Sequence, residues 1–90
     1  MQPAYATLIN ELVQGYRTKL ENLRAETAMP PELQRLIAGD YACWLSICLG
    51  DALDDAYSAG DIESARQIDN VIRQFYTGHL LDTQHLLGAV

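Results

Sequence analysis

Apolar residues at positions 5, 8, 9, 12, 13, 16, 20 and 23 recur at intervals of three and four. That spacing lays them along one face of an α-helix, and it predicts a first helix from Ala4 to about Thr27. Gln14, Arg17, Thr18, Glu21 and Arg24 fall away from the stripe. Pro3 suits the entry to this helix, where its fixed φ is helical and its missing N–H costs nothing. Gly15 inside it costs about 1 kcal/mol relative to Ala, so a close approach by a neighbouring helix is expected there. The run Thr27-Ala28-Met29-Pro30-Pro31 ends the helix, because each proline disfavours the α conformation in the residue before it.

The tripeptide Ala-Gly-Asp occurs twice, at 38–40 and 59–61. Gly tolerates the left-handed conformation just past a helix end, and an Asp carboxylate accepts the free N–H groups of the next first turn. Taken as punctuation, the pair brackets a helix from Tyr41 to about Ser58. Pro31-Glu32-Leu33 then starts a short connecting helix that reaches about Ala38. In the bracketed helix Tyr41, Trp44, Leu45, Cys48, Leu49, Ala52, Leu53, Ala56 and Tyr57 share one face. Ser46, Asp51, Asp54, Asp55 and Ser58 lie opposite. Cys43 and Ile47 widen the apolar stripe, so this helix is expected to be the most buried, with Gly50 a kink or a tight crossing point.

After Asp61 a third stripe runs through Ile62, Ala65, Ile68, Val71, Ile72, Phe75, Tyr76 and His79. Leu80, Leu81, Leu86 and Leu87 keep the chain apolar to Gly88 beyond Gly78, which ends or bends the helix. No two-residue alternation runs far enough to suggest a strand. The segments between the two tripeptides do not resemble one another, which disfavours a solenoid. The expected fold is all-α, a single domain over residues 1–90. It is a small helical bundle of three long helices plus a short connecting helix.

Ninety residues with 49% hydrophobic content are enough for a core. Tyr41 to Gly50 is the longest uncharged apolar-rich stretch, far short of the ~20 residues of a membrane span. The N-terminus carries no basic, signal-like segment, and a soluble cytoplasmic protein is expected. Cys43 and Cys48, the only cysteines, point about 140° apart on a helix and cannot pair within it. Reduced thiols are expected, with Cys48 a small core hydrophobe.

The net charge of −6 is unevenly placed. Residues 1–38 balance Arg17, Lys19, Arg24 and Arg35 against Glu11, Glu21, Glu26 and Glu32. Between Arg35 and Arg66 there is no cation at all. Direct binding to nucleic acid or to an anionic membrane is therefore disfavoured, and a basic protein partner is permitted.

Three constellations bear on chemistry. Asp51, Asp54 and Asp55 share a helical face and have the composition of a Mg²⁺ site, but the third helix offers only Glu63 and Asp69, not a matching acidic pair. A solvated polar face is the expected role. His79, Asp82 and His85 are three apart, not at the i, i+4 spacing of a two-histidine zinc signature. Neither cysteine has a base or a cation near it in sequence to lower its pKa. No catalytic residue, cofactor or metal is implied, and the chain is not expected to be an enzyme.

The expected function is a non-enzymatic protein–protein interaction module: a small adaptor, a chaperone-like subunit or a regulator. It would act through amphipathic helices and an acidic face from Asp40 to Glu63, with Asp51, Asp54, Asp55, Asp61 and Glu63 as partner-binding residues. One alternative is an acidic inhibitor of a basic nuclease, toxin or DNA-binding protein, of the immunity or phage anti-defence type. A second is a Mg-dependent enzyme using Asp51, Asp54 and Asp55. The five tyrosines and Trp44 lie at stripe positions, where core packing is expected and an interface is the alternative. Wide apolar faces on so small a bundle make a homodimer the expected oligomeric state.

Overall fold

A computed structural model describes residues 2–77 of the chain. They form three helices, α1 (Pro3–Arg24), α2 (Pro31–Ser58) and α3 (Ile62–Thr77), and no strand. Both long helices begin with a proline in the first turn, preceded by an extended residue, Gln2 or Pro30. Residues 25–30 reverse the chain between α1 and α2. The Gln34 side-chain amide closes this link by donating to the Glu26 carbonyl at 2.9 Å.

The two Ala-Gly-Asp tripeptides behave differently. The second ends a helix as its composition predicts: Gly60 has φ +75°, and Gly60 N–H donates to the Tyr57 carbonyl while Asp61 N–H donates to Ala56. These are the two bonds of a Schellman motif. The first does not interrupt anything. α2 runs from Pro31 through Ala38, Gly39 and Asp40 to Ser58, so the expected connecting helix and the helix from Tyr41 are one element of 28 residues. The reason lies in the apolar register. Ala38 is buried on the same stripe as Leu45, Leu49, Ala52 and Ala56, at spacings of seven, four, three and four. A glycine in mid-helix costs about 1 kcal/mol, less than giving up that continuous contact and opening two new helix ends.

α1 and α2 are antiparallel, as are α2 and α3. Tyr5 meets Asp55, and the Lys19 ammonium lies 4.0 Å from the centre of the Trp44 ring and 5.5 Å from that of Tyr41. α1 and α3 therefore run in the same direction, with Gln2 beside Ser64 at one end and the Tyr16 ring edge-on to Phe75 at the other. The core is drawn from Ile9, Tyr16, Leu20 and Leu23 of α1, the α2 stripe, and Ala65, Ile68 and Phe75 of α3. Tyr16 is fully buried, yet its hydroxyl has no hydrogen-bond partner among the described residues.

α2 is not the enclosed helix that its composition suggests. α1 and α3 cover one side only, and the residues expected to widen its buried stripe face outward: Ile47 is 58% exposed, and Cys43 is exposed. Cys48 is half-buried. By length and composition α2 is also apolar enough to cross a membrane. Its best 18-residue window has a mean hydropathy of 1.3, but only 22% of that window is buried inside the bundle. The core helix of a soluble protein satisfies the same measure when most of it is buried, which this window of α2 is not. Counting the charge-free run Tyr41–Gly50 alone missed this length, because isolated aspartates interrupt a longer apolar stretch. Nor do Gly15 and Gly50 mark tight crossings, since a Cβ placed on either would meet no atom within 4 Å.

Leu45 is fully buried at the centre of the α2 stripe. Leu45→Ala is expected to cost about 2–5 kcal/mol in urea denaturation. Tyr16→Phe removes a buried hydroxyl that has no partner to lose, and is expected to leave stability unchanged or raise it by up to about 1 kcal/mol.

Candidate interaction surface

The five acids expected to form one partner-binding face separate into two groups. Asp51 and Asp54 project from the outer side of α2, exposed, and have no hydrogen-bond or ion-pair partner among the described residues. The other three are occupied within the bundle. Asp55 is one residue further round the helix, and that step of about 100° turns it toward α1. There its carboxylate accepts the Tyr5 hydroxyl at 2.8 Å. The hydrogen bond to Asp55 holds the Tyr5 phenol protonated, with its pKa raised above 10.0.

Asp61 caps α3. Its carboxylate accepts the Ser64 backbone N–H at 3.1 Å, while the Ser64 hydroxyl accepts the Gln2 N–H at 3.1 Å. One buried serine thus stitches the start of α1 to the start of α3. The Ser64 hydroxyl and then its backbone N–H hold the Asp61 carboxyl below its usual range. Glu63 pairs with the Arg66 guanidinium at 2.8 and 3.0 Å and accepts the Gln67 amide at 3.0 Å. The Arg66 contacts are the main reason that its pKa is lowered. Both partners are well exposed, so this pair adds little to stability.

One acid outside that expected set joins Asp51 and Asp54. Asp40, assigned by sequence to a helix cap, lies inside α2, exposed and without a partner among the described residues. It shares the outer side of the helix with Asp51 and Asp54, since spacings of 11 and 14 residues return to nearly the same direction. Between these acids lie Cys43 and Ile47, and Leu36, 69% exposed, extends the same side toward the helix start.

Among the described residues no three His, Cys, Asp or Glu side chains converge as a metal site would require. The diversion of Asp55 to Tyr5 removes one member of the Asp51, Asp54, Asp55 set. His79, Asp82 and His85 lie outside the described residues. The tyrosines divide between core and surface: Tyr16 is buried, Tyr5 and Tyr41 are half-buried, and Tyr57 and Tyr76 are exposed. Comparison of the chain with protein-family models, curated proteins and solved structures finds no match.

A carboxylate whose pKa is lowered by folding stabilises the fold above its unfolded value and loses that contribution as pH falls through the folded value. Thermal melts of the wild type are therefore expected to show a loss of stability below about pH 4. Asp61→Asn keeps an acceptor for the Ser64 N–H but does not titrate. The difference in melting temperature between the two proteins should shrink as the pH drops from 6 to about 2.5. A constant difference would mean that the Asp61 charge does not contribute to the cap.

Proposed function

We propose that this chain is a non-enzymatic protein-interaction module that presents the outer side of α2 to a partner. The observation that carries the reading is the combination of Asp40, Asp51 and Asp54, uncompensated by any cation from residue 36 to 65, with large apolar residues exposed between and beside them. A single exposed leucine or isoleucine is ordinary on a soluble surface, and a purely solubilising surface intersperses both signs of charge. Here a single sign of charge frames apolar area, the composition of a contact surface with an apolar centre and a polar rim. Asp61 and Glu63, which serve the bundle itself, are secondary in this reading.

The inhibitor of a basic nuclease, toxin or DNA-binding protein is a narrower form of the same proposal, and the uncompensated aspartates favour it. The two forms differ in salt dependence. Contact made mainly by charge has an association rate that falls steeply with ionic strength, whereas contact made mainly by apolar area does not.

The test is the Asp51→Lys, Asp54→Lys double variant, compared with wild type in capture from lysate at low and moderate salt. Helicity is expected to be unchanged by circular dichroism, and the retained protein to drop by about tenfold or more. Equal retention by both forms would reduce the aspartates to solubilising surface. A basic protein held by the wild type at low salt alone would favour the inhibitor form.

A further inference from the structure

We propose that the outer face of α2 is a docking surface for one amphipathic helix with an apolar ridge and lysine or arginine on its flanks. This rests on the interaction-module reading and adds the shape and chemistry of the partner. The face follows one helical direction. Leu36, Cys43 and Ile47 form its apolar line, and Gly39 and Gly50 lie beside that line within about 80° of arc.

The glycines are the first argument. Neither has the positive φ that would call for glycine; among the described residues Gly60 alone does. Neither is needed for packing inside the bundle, since open space stands over the position of each absent Cβ. Alanine at either position would favour the helix more. A helix surface that omits side chains at two places beside exposed Leu36 and Ile47 offers shallow seats for ridges from outside. Close helix approach over glycine requires a second backbone, and none of this chain's described helices supplies it.

Charge selects the occupant. Asp40 lies between Leu36 and Cys43 on the apolar line, and Asp51 and Asp54 lie beyond Ile47, all exposed and without a partner among the described residues. A second copy docked through the same face would bring Asp40, Asp51 and Asp54 of both chains into one contact, with no cation from residue 36 to 65 of either to offset them. An anionic lipid surface meets the same repulsion. A helix with basic flanks meets opposite charge at Asp40 and at Asp51 and Asp54, and its apolar ridge covers Cys43 and Ile47.

The site can be read without a natural partner, because Cys43 lies at its centre. Cys48 is half-buried and about 140° away around the helix, which makes it an internal reference. The probe is a synthetic helical peptide of about 20 residues, slightly longer than the roughly 27 Å from Leu36 to Asp54 at the helical rise. It carries a leucine ridge flanked by lysine, and the control peptide has glutamate in place of lysine. The expected result is that the lysine peptide slows alkylation of Cys43 by about tenfold and leaves Cys48 unchanged, whereas the glutamate peptide protects neither.

Ile47→Ser and Gly50→Gln should each weaken the lysine peptide by about tenfold. Gly50→Gln should also match or exceed the wild-type melting temperature, which separates blocked docking from a damaged fold. Equal protection by both peptides, or affinity indifferent to Ile47 and Gly50, would overturn the proposal. Cys43 protected without peptide in a chain that sediments as a dimer would replace the helix with a second copy. Protection by phosphatidylcholine or phosphatidylglycerol vesicles instead of the peptide would replace it with a membrane. If lysate proteins are still lost on Asp51 and Asp54 reversal but bind regardless of Ile47 and Gly50, this inference fails and the interaction-module reading stands.

Discussion

The bundle depends on one seam, the line Ala38, Leu45, Leu49, Ala52 and Ala56 along a single side of α2. Three of these five are alanine, so the flanking helices sit close to the α2 backbone. The apolar area of the seam comes from its two leucines and from the larger residues that close on it, Tyr16, Leu20, Ile68 and Phe75. Burial of this kind, at roughly 25 cal/mol per Å² of apolar surface, is the main favourable term available to so small a chain. Two helices suffice to cover a seam that narrow. The same economy leaves the rest of α2 facing outward, including side chains as apolar as those inside.

The ends of the bundle are fixed by hydrogen bonds rather than by area. Gly60 and Asp61 turn the chain from α2 to α3, and Ser64 ties that turn to the first residues of α1. The Tyr5–Asp55 bond crosses from α1 to α2 near the same end. At the other end the Lys19 ammonium lies over the Trp44 ring. Register between the helices is thus specified at both ends, which a seam rich in alanine would specify only weakly.

Much of this architecture was legible in the spacing of apolar residues. The stripes of α1 and α3 and the turn at 59–61 have the composition that helix geometry requires, and the structure places them accordingly. What spacing could not decide was whether a Gly-Asp pair punctuates. The two tripeptides are identical. They differ in what surrounds them, an uninterrupted seven-residue register at 38–45 and a change of stripe after Ala56. Nor could spacing alone divide Asp51 and Asp54 from Asp55. Asp51 and Asp54 oppose the seam on a helical wheel and Asp55 stands about 100° from it, and only the side on which α1 docks turns Asp55 into a partner of Tyr5. Asp40 was expected at the start of the acidic face but as a helix cap, and the same misread punctuation hid that it lies inside α2 with its side chain exposed.

The exposure of α2 also bears on how one sequence can look both core-like and span-like. A helix is apolar all round when it is enclosed by protein or by lipid. α2 approaches that composition, yet one side is covered by neighbours and the other carries Asp40, Asp51 and Asp54 among Leu36, Cys43 and Ile47. Lipid does not reward those aspartates, and water does not reward the aliphatic residues between them. A protein surface with basic and apolar groups in the matching order would satisfy its charge and its apolar area together, and that is the ground of the docking proposal.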